Sequence, residues 1–270
     1  MHIAKTLTIA GSDSSGGAGI QADLKTFQEL ETFGMSAITA ITAQNTLGVH
    51  GVYPQPVEAI EAQLDAVLSD IGADGVKTGM LFSAEIIELV AEKVKEYQLK
   101  NIVVDPVMIA KGGATLLQQE AIDALKEKLL PVATVITPNL PEAQAILDLE
   151  KEITSIEEME EVSRALYELG PEYILLKGGH LTEGPALDLL YDGKEMTKYH
   201  VERIDTKHTH GTGCTFAAAI AAELAKGSEI KEAVQVAKDF ITAAISDSIQ
   251  LGTGIGPTNH HAYQRLKRKS

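Results

Sequence analysis

Short segments with the composition of β-strands alternate with amphipathic helical segments along almost the whole chain of 270 residues, and this alternation restricts the fold more than any other feature. Several of the short segments are continuous apolar runs, which are typical of parallel strands covered by helices on both faces. The pattern predicts an α/β fold with a mainly parallel central sheet and helices on both faces. Strands are expected at residues 5–10, 35–42, 75–78, 101–105, 134–137, 173–177 and 187–191, with one more edge strand at 194–203.

Capping residues and apolar spacing indicate where several helices begin. Ser83 is a candidate N-cap in front of apolar residues at helical spacing. Ser155 and Glu158 have the spacing of a capping box that opens a helix reaching residue 169. Further helices are expected around residues 122–129, in the alanine-rich run 217–225 and over the long segment 228–251.

The charge balance and the single cysteine limit the function and the location. A formal net charge of -15 at pH 7 argues against broad nucleic-acid binding, because no basic face is available to displace counterions. One cysteine excludes an internal disulfide and suits a reducing compartment, and no apolar run is long enough for a membrane span or a signal peptide. We therefore expect one cytoplasmic domain, residues 1–270, with no membrane or nucleic-acid partner.

Residues with unusual chemistry collect directly after the predicted strands. In an open parallel sheet the ligand crevice lies beyond the carboxyl ends of the strands, so segments that are far apart in sequence meet there. One pocket is therefore expected to form from residues 11–19, 44–46, 105–113, 137–142, 177–180 and 208–216.

The last of these segments is a glycine-rich turn that leads into the alanine-rich run and contains Cys214. A helix start offers unpaired backbone N–H groups and a positive dipole, which together favour the binding of phosphate. The same field should lower the pKa of the Cys214 thiol and make it a better base or nucleophile. The alternative is that Gly213 only fits the turn and Cys214 is a small core residue.

Charged side chains occupy other segments of the expected pocket. Asp105 and Glu142 would repel a phosphorylated ligand unless a cation lay between them, and Mg²⁺ fits because it takes few carboxylates and keeps several waters. Lys177 could place a positive charge on a transferring phosphate. Asp23, one turn into a helix, could point at a substrate hydroxyl or ring nitrogen. Each of these residues could instead be a cap or a surface group.

Six collinear stretches, which span nearly the full chain, carry a resemblance to a known family. They read TIAGSD with SGGAGIQAD (8–13 and 15–23), AQNT (43–46), DPVM (105–108), TPNLPEA (137–143), KGGH (177–180) and THGTGCT (209–215). On these stretches the chain resembles the hydroxymethylpyrimidine and pyridoxal kinase type of the ribokinase superfamily.

The resemblance implies a ribokinase-like three-layer fold and a homodimeric kinase that uses ATP and Mg²⁺. It implies substrate contacts at Gly11, Asp23, Gln44, Met80 and Val107, and a metal site at Asp105 and Glu142. It implies nucleotide contacts at Asn139, Lys177, Gly178, Gly179, His180, Gly211, Thr212 and Gly213, with Asp188 and Lys238 as weaker matches. Cys214 stands where most ribokinase relatives have an aspartate base, so the resemblance assigns the catalytic base to Cys214.

The activity expected from the resemblance is phosphorylation of the hydroxymethyl group of B6 vitamers (pyridoxine, pyridoxal and pyridoxamine) in salvage, with hydroxymethylpyrimidine as a second substrate. The alternative is a kinase of hydroxymethylpyrimidine and its phosphate in thiamine biosynthesis. His208 stands where many pyrimidine kinases of this type have asparagine, which leaves the choice of ring open.

Three other interpretations remain. His208 and His210 share a face in an extended turn, yet no third ligand at matching spacing supports a zinc site. A cysteine hydrolase with Cys214 as nucleophile and His210 as base is a remote alternative, because the sequence shows neither a third triad member nor a group that would stabilise the oxyanion. The third is a vitamin-binding module without catalysis.

Overall fold

The computed structural model describes residues 3–108, 118–179 and 186–268. The strands of these residues are β1 (Lys5–Asp13), β2 (Phe33–Asn45), β3 (Gly48–Pro54), β4 (Gly75–Thr78), β5 (Ile102–Val104), β6 (Val135–Ile136), β7 (Tyr173–Lys177), β8 (Ala186–Tyr191) and β9 (Met196–Val201). They form one sheet in the spatial order β3-β2-β1-β4-β5-β6-β7-β8-β9. The six strands from β2 to β7 in this order are parallel, whereas β3, β8 and β9 run antiparallel to their neighbours.

Helices cover both faces of this sheet. They are α1 (Gly19–Glu29), α2 (Val57–Leu68), α3 (Ala84–Glu96), α4 (Gln119–Ala124), α5 (Leu140–Leu147), α6 (Ile156–Tyr167), α7 (Thr212–Ala225), α8 (Ile230–Ser246) and α9 (Ala262–Lys267). A π-helical turn at Leu125–Leu129 and a 3-10 turn at Leu130–Val132 extend α4. Among the helices of the described ranges, none combines the length and the apolar character that crossing a bilayer would need.

Successive side chains of the central strands enter two different cores, because residues of a strand alternate between the two faces of a sheet. In β5, Ile102 and Val104 pack with α2 to α6, whereas Val103 packs with α1, α7, α8 and α9. In β7, Leu175 packs into the second of these cores. Burial on both faces explains the continuous apolar runs, and the predicted α/β sheet is confirmed.

The alanine-rich helix α7 lies unusually close to β4. A Cβ atom on Gly75 would lie 2.8 Å from the carbonyl oxygen of Ala221 and 2.9 Å from the Cβ of Ala225. Gly75 begins β4 and Ala225 ends α7, so the start of α7 lies over the carboxyl end of β4. This packing carries the glycine-rich turn to the crevice of the sheet.

The sequence pattern does not reveal β3. The strand β2 continues to Asn45, and a short turn at Thr46 and Leu47 leads into the antiparallel partner β3. β3 contains Gly48, Gly51 and Pro54, and all of its side chains are exposed or half-buried. An edge strand of this composition lacks the apolar alternation from which strands are recognised.

The single long helix expected at residues 228–251 is shorter in the structure, where α8 ends at Ser246. The following chain returns to the sheet edge. The N–H of Ile255 donates to the carbonyl of Thr46 at 2.8 Å, and the N–H of His210 donates to the carbonyl of Gly256 at 3.1 Å. The predicted cap at Ser83 and the capping box of Ser155 and Glu158 are both present.

Candidate active site

Two glycine-rich turns meet at the carboxyl end of β1. Gly211, the N-cap of α7, has a φ of 84°, and a Cβ there would lie 1.8 Å from the carbonyl oxygen of Gly17. Asp13 joins the two turns, because its Oδ2 accepts a hydrogen bond from His210 Nε2 at 2.8 Å while its Oδ1 accepts one from the N–H of Ser15 at 2.8 Å. Burial alone would raise the pKa of Asp13, but the bonds from His210 and Ser15 outweigh burial and lower it to about 2.

A charge cluster lies at the start of α7. Asp105 Oδ1 accepts a hydrogen bond from Lys177 Nζ at 3.0 Å. A Cβ on Gly213 would lie 3.5 Å from Lys177 Nζ and 3.7 Å from Asp105 Oδ2. Next to Gly213, the hydroxyl of Thr212 donates to the carbonyl of Thr209 at 2.8 Å. The structure therefore brings the predicted lysine and carboxylate against the helix start that suits phosphate.

Glu142 lies beside this cluster, in the first turn of α5. It forms a capping box with Asn139, in which the N–H of each residue donates to the side chain of the other at 2.8 Å. Burial raises the pKa of Glu142 to about 7, an effect that Lys177 opposes and Asp105 increases. Asp105 pairs with Lys177, and Glu142 is a second buried carboxylate beside this pair. Such a donor set fits Mg²⁺, which takes few carboxylates together with water and phosphate oxygens.

Cys214 lies in the first turn of α7 and is partly buried. The backbone N–H of Gly19, at the start of α1, acts to lower the pKa of the Cys214 thiol. Burial raises the pKa of Cys214 to about 11; Lys77 opposes this rise, and Asp23 and Asp105 add to it. The prediction of a lowered thiol pKa is therefore wrong, because loss of hydration outweighs the field of the helix start.

Lys77, in β4, is a functional candidate that the sequence analysis misses. Its side chain is 0% exposed, and its Nζ donates to Asp23 Oδ2 at 2.9 Å. The same oxygen accepts a hydrogen bond from the hydroxyl of Thr8 at 2.6 Å. The Asp23 carboxylate is fully buried in this ion pair, and its contact with a substrate stays a prediction. A lysine inside the short, buried segment 75–78 was the available signal.

The other predicted substrate contacts lie along the carboxyl ends of neighbouring strands. A Cβ on Gly11 would lie 2.4 Å from Met80 Cε, so these two residues are in contact. Gln44 Nε2 lies 3.4 Å from His210 Nε2. Val107, two residues after Asp105, is half-buried. The contact of these residues with a substrate stays a prediction.

The remaining nucleotide candidates lie around the end of β7. Asp188 accepts a hydrogen bond from Lys238 Nζ at 2.6 Å and another from the N–H of Gly178 at 3.2 Å. Both charged side chains are buried, so the pair holds the backbone at Gly178 in place. Gly179 accepts a hydrogen bond through its carbonyl. Direct contact of Asp188 and Lys238 with a nucleotide stays a prediction, and His180 lies outside the described residues.

The two alternatives that depend on histidine, a zinc site and a cysteine hydrolase, gain no support. His208 Nδ1 accepts a hydrogen bond from the N–H of Gly256 at 2.9 Å, and His210 Nε2 is bonded to Asp13 rather than to Cys214. Within residues 3–108, 118–179 and 186–268, no three His, Cys, Asp or Glu side chains form a metal-binding group.

A cavity of about 430 Å³ lies away from all of these residues. It is lined by segments that precede β4 and β5 and by the carboxyl end of α7. None of the predicted site residues lines it, so it belongs to the opposite edge of the sheet.

A helix start suited to phosphate, set against a lysine and two carboxylates, indicates a phosphotransferase. Comparison with known proteins agrees. The family model described as phosphomethylpyrimidine kinase matches residues 13–259. The chain is 53% identical over 266 residues to the hydroxymethylpyrimidine/phosphomethylpyrimidine kinase of Bacillus subtilis, covering 98% of this chain and 97% of that protein. It is 50% identical over 273 residues to the pyridoxine kinase of the same organism, covering both chains fully.

The structure of an ADP complex of Bacillus subtilis pyridoxal kinase is similar to this chain, with a TM-score of 0.90 and 49% identity, and the similarity covers 98% of this chain and 100% of that one. The chain belongs to the phosphomethylpyrimidine kinase family. It is a kinase that transfers phosphate to an alcohol group. The resemblance drawn from the sequence and the expected fold and enzyme class are confirmed.

Proposed function

We propose that the protein transfers the γ-phosphoryl group of ATP to the hydroxymethyl group of B6 vitamers, and that it also accepts hydroxymethylpyrimidine. The observation that carries this proposal is the position of the Lys177–Asp105 ion pair next to Gly213 at the start of α7, beside Cys214. A negatively charged phosphoryl group placed there would meet a helix dipole, backbone N–H groups and an ammonium.

The two ring families share the chemistry that this site would recognise. Each is a flat heteroaromatic ring that bears a hydroxymethyl arm. Relatives named for each ring are about equally similar to this chain, at 53% and 50% identity. The pyridoxal kinase whose ADP complex is known supports the B6 assignment through its fold and its 49% identity.

In the proposed reaction the hydroxymethyl oxygen bonds to the γ-phosphorus, the bond from that phosphorus to the β–γ bridging oxygen breaks, and ADP leaves. Cys214, in its thiolate form, accepts the hydroxyl proton at Sγ and becomes the neutral thiol. Positioning and charge neutralisation matter more than base strength in such transfers, since the transition state is loose. Lys177 and the turn from Gly211 to Gly213 would hold the migrating phosphoryl group.

The nucleotide would also contact Asn139, Gly178 and Gly179. The ring would lie against Gly11, Asp23, Gln44, Met80 and Val107. Asp105 and Glu142 would hold Mg²⁺, which would neutralise charge on the ATP phosphates. The position of these residues around the carboxyl ends of neighbouring strands supports the proposed roles.

The proposal is tested by incubating the protein with ATP, Mg²⁺ and pyridoxine and following the product by mass spectrometry. We expect pyridoxine 5′-phosphate and one ADP for each molecule formed. If no ATP is consumed with either pyridoxine or hydroxymethylpyrimidine, the proposal is overturned. Binding of these compounds without turnover would instead support the vitamin-binding module.

A second candidate function is the kinase of hydroxymethylpyrimidine and of its monophosphate. The family model and the relative at 53% identity favour it, because both are named for the phosphorylated pyrimidine. Supplying hydroxymethylpyrimidine monophosphate separates the two candidates, since only this second enzyme should form the pyrophosphate.

Three wider expectations from the sequence are part of the same proposal. They are one domain over the whole chain, a homodimer and a cytoplasmic location. Light scattering after gel filtration tests the homodimer, for which we expect twice the mass of 28.8 kDa.

A further inference from the structure

Asp13 has no part in the phosphoryl transfer described above, yet its carboxylate organises the loop of residues 13–18 that follows β1. Its Oδ1 accepts hydrogen bonds from the N–H and the hydroxyl of Ser15 at 2.8 and 2.7 Å. Its Oδ2 accepts hydrogen bonds from the N–H groups of Gly17 and Ala18 at 3.1 and 2.8 Å. The carboxylate is buried, and these bonds fold the loop around it.

A further bond to Asp13 comes from a distant part of the chain. His210, 197 positions away in sequence, lies in the turn 209–213, and its Nε2 is 2.8 Å from Asp13 Oδ2. The hydrogen bonds lower the pKa of Asp13 to about 2, so the carboxylate is charged and only accepts. His210 Nε2 therefore carries a hydrogen and donates it to Asp13.

The backbone of the two segments is packed as closely as their side chains. A Cβ on Gly17 would lie 2.5 Å from His210 Cδ2, and a Cβ on Gly211 would lie 1.8 Å from the carbonyl oxygen of Gly17. The N–H of His210 donates to the carbonyl of Gly256 at 3.1 Å. The backbone of His210 is thus fixed by the segment after α8, and its side chain is fixed by Asp13.

This contact joins the two sides of the crevice. The loop 13–18 follows Gly11, a predicted substrate contact, and the turn 209–213 leads into the helix start that suits phosphate. Transfer requires the attacking oxygen and the phosphorus to be close and aligned, and a displacement of about 1 Å can lower the rate by about 100-fold. A bond that fixes one segment against the other should therefore affect the rate more than the affinity.

We propose that Asp13 and His210 are positioning residues, whose hydrogen bond holds the turn 209–213 against the loop 13–18 in the arrangement that phosphoryl transfer needs. This role rests on the proposed function, because it takes the turn as the place of the migrating phosphoryl group. It does not depend on which vitamin ring the enzyme prefers.

The test compares His210→Gln with His210→Met. The two new side chains have similar lengths, but only the glutamine amide can donate to Asp13. Both variants leave the bonds of Asp13 within its own loop, so the buried carboxylate keeps hydrogen-bond donors. His261→Met is the control, because it removes another histidine–carboxylate contact, in which His261 Nδ1 lies 3.0 Å from Glu29 Oε1 at the far end of α1.

Steady-state kinetics are measured with ATP, Mg²⁺ and whichever of pyridoxine and hydroxymethylpyrimidine the wild type phosphorylates faster. His210→Met should lower kcat by about 10- to 100-fold. The KM for ATP should change by less than about threefold, because Lys177 still faces the phosphates and only a transition-state contact is lost. His210→Gln should keep kcat close to the wild-type value, and His261→Met should change neither constant.

A second measurement needs no turnover. Hydrogen–deuterium exchange of the backbone N–H groups in residues 209–213 is followed by mass spectrometry without ligands. His210→Met should speed this exchange by about tenfold, since a hydrogen bond to a charged group usually contributes at least that factor. His210→Gln and His261→Met should exchange like the wild type. If His210→Met does not fold, His210→Asn replaces it, because its shorter amide does not reach Asp13.

Both effects are required. A wild-type kcat or a wild-type exchange rate in His210→Met would overturn the proposal, and so would equal losses in His210→Gln and His210→Met. If the wild type forms no product with either ring, the proposed function fails, and the exchange rates still decide whether the bond between Asp13 and His210 holds the turn. The two failures are therefore distinguishable.

Discussion

At the scale of single residues, the balance between burial and neighbouring charge decides what Cys214 can do. The helix start at Gly211 offers a favourable field, but burial raises the thiol pKa to about 11. Most of the thiol is therefore protonated at neutral pH.

Replacing Cys214 by alanine should lower kcat by about 10²- to 10⁴-fold, which is the usual contribution of a positioned acid or base. The dissociation constants of ATP and pyridoxine should change little, because the phosphate contacts come from the backbone and Lys177. Steady-state kinetics and isothermal titration calorimetry measure the two effects separately. An unchanged kcat would remove Cys214 from the mechanism.

Residue identity alone predicts part of this site. A lysine and a carboxylate directly after buried strands, Lys177 and Asp105, could be predicted to converge because parallel strands end at one edge of the sheet. The pairing of Lys77 with Asp23 could not, since it joins residues 54 positions apart through side-chain geometry that no local pattern encodes. Burial by residues that are distant in sequence also raises the pKa of Cys214, whereas the sequence alone predicts that it is lowered.

At the scale of elements, the contact between α7 and β4 positions the glycine-rich turn. The helix approaches the strand closely because Gly75 has no side chain and faces the backbone of Ala221 and the small side chain of Ala225. The other alanines of α7 are buried in the core that this helix shares with α1 and α8.

Replacing Gly75 by alanine should destabilise the protein by about 1–3 kcal/mol, which is typical of an overfilled core. The new Cβ would lie 2.8 Å from the backbone oxygen of Ala221, so α7 must shift. Because α7 carries Cys214, kcat should fall together with the free energy of unfolding. Urea unfolding and kinetics check both effects, and wild-type values for the two would show that the close packing is not required.

The first turn of α7 is also tied to the C-terminal region, where His260 Nε2 lies 2.9 Å from the hydroxyl of Thr215. Burial lowers the pKa of His260 to about 4, and the nearby Lys25 adds to the effect. The folded protein thus keeps this histidine neutral at pH values where the unfolded chain protonates it. Its contribution to stability is complete above about pH 6.5 and is lost as the pH falls towards 4.

The free energy of unfolding of the wild type should therefore fall more steeply between pH 6.5 and pH 4 than that of His260→Gln. The difference should reach about 3 kcal/mol at most, from a pKa shift of about 2.5 units. Urea unfolding at a series of pH values measures it. Parallel pH profiles for the two proteins would show that folding does not lower the pKa of His260.

At the scale of the whole molecule, the alternation of strands and helices is enough to predict the doubly covered sheet, because burial on both faces imposes a sequence pattern on the central strands. The edges are less predictable. β3 is exposed and interrupted by glycine and proline, and the chain after Ser246 leaves the helix to contact Thr46 and His210. These features depend on tertiary contacts rather than on local periodicity.

Discrimination between the B6 ring and the hydroxymethylpyrimidine ring depends on individual contacts in the substrate pocket, and neither the fold nor the overall similarity determines these contacts. The relatives named for each ring cover the chain almost equally and differ little in identity. Enzyme kinetics with both kinds of substrate therefore distinguish the two activities.

The central claim is tested most directly by kcat/KM for pyridoxine, pyridoxal, hydroxymethylpyrimidine and hydroxymethylpyrimidine monophosphate, measured side by side with ATP and Mg²⁺. We predict ATP-dependent phosphorylation of the hydroxymethyl arm of both ring families, with pyridoxine the better substrate and no pyrophosphate from the monophosphate. Efficient pyrophosphate formation would assign the protein to the thiamine-type activity, and the absence of any phosphorylated product would contradict the proposed function as a whole.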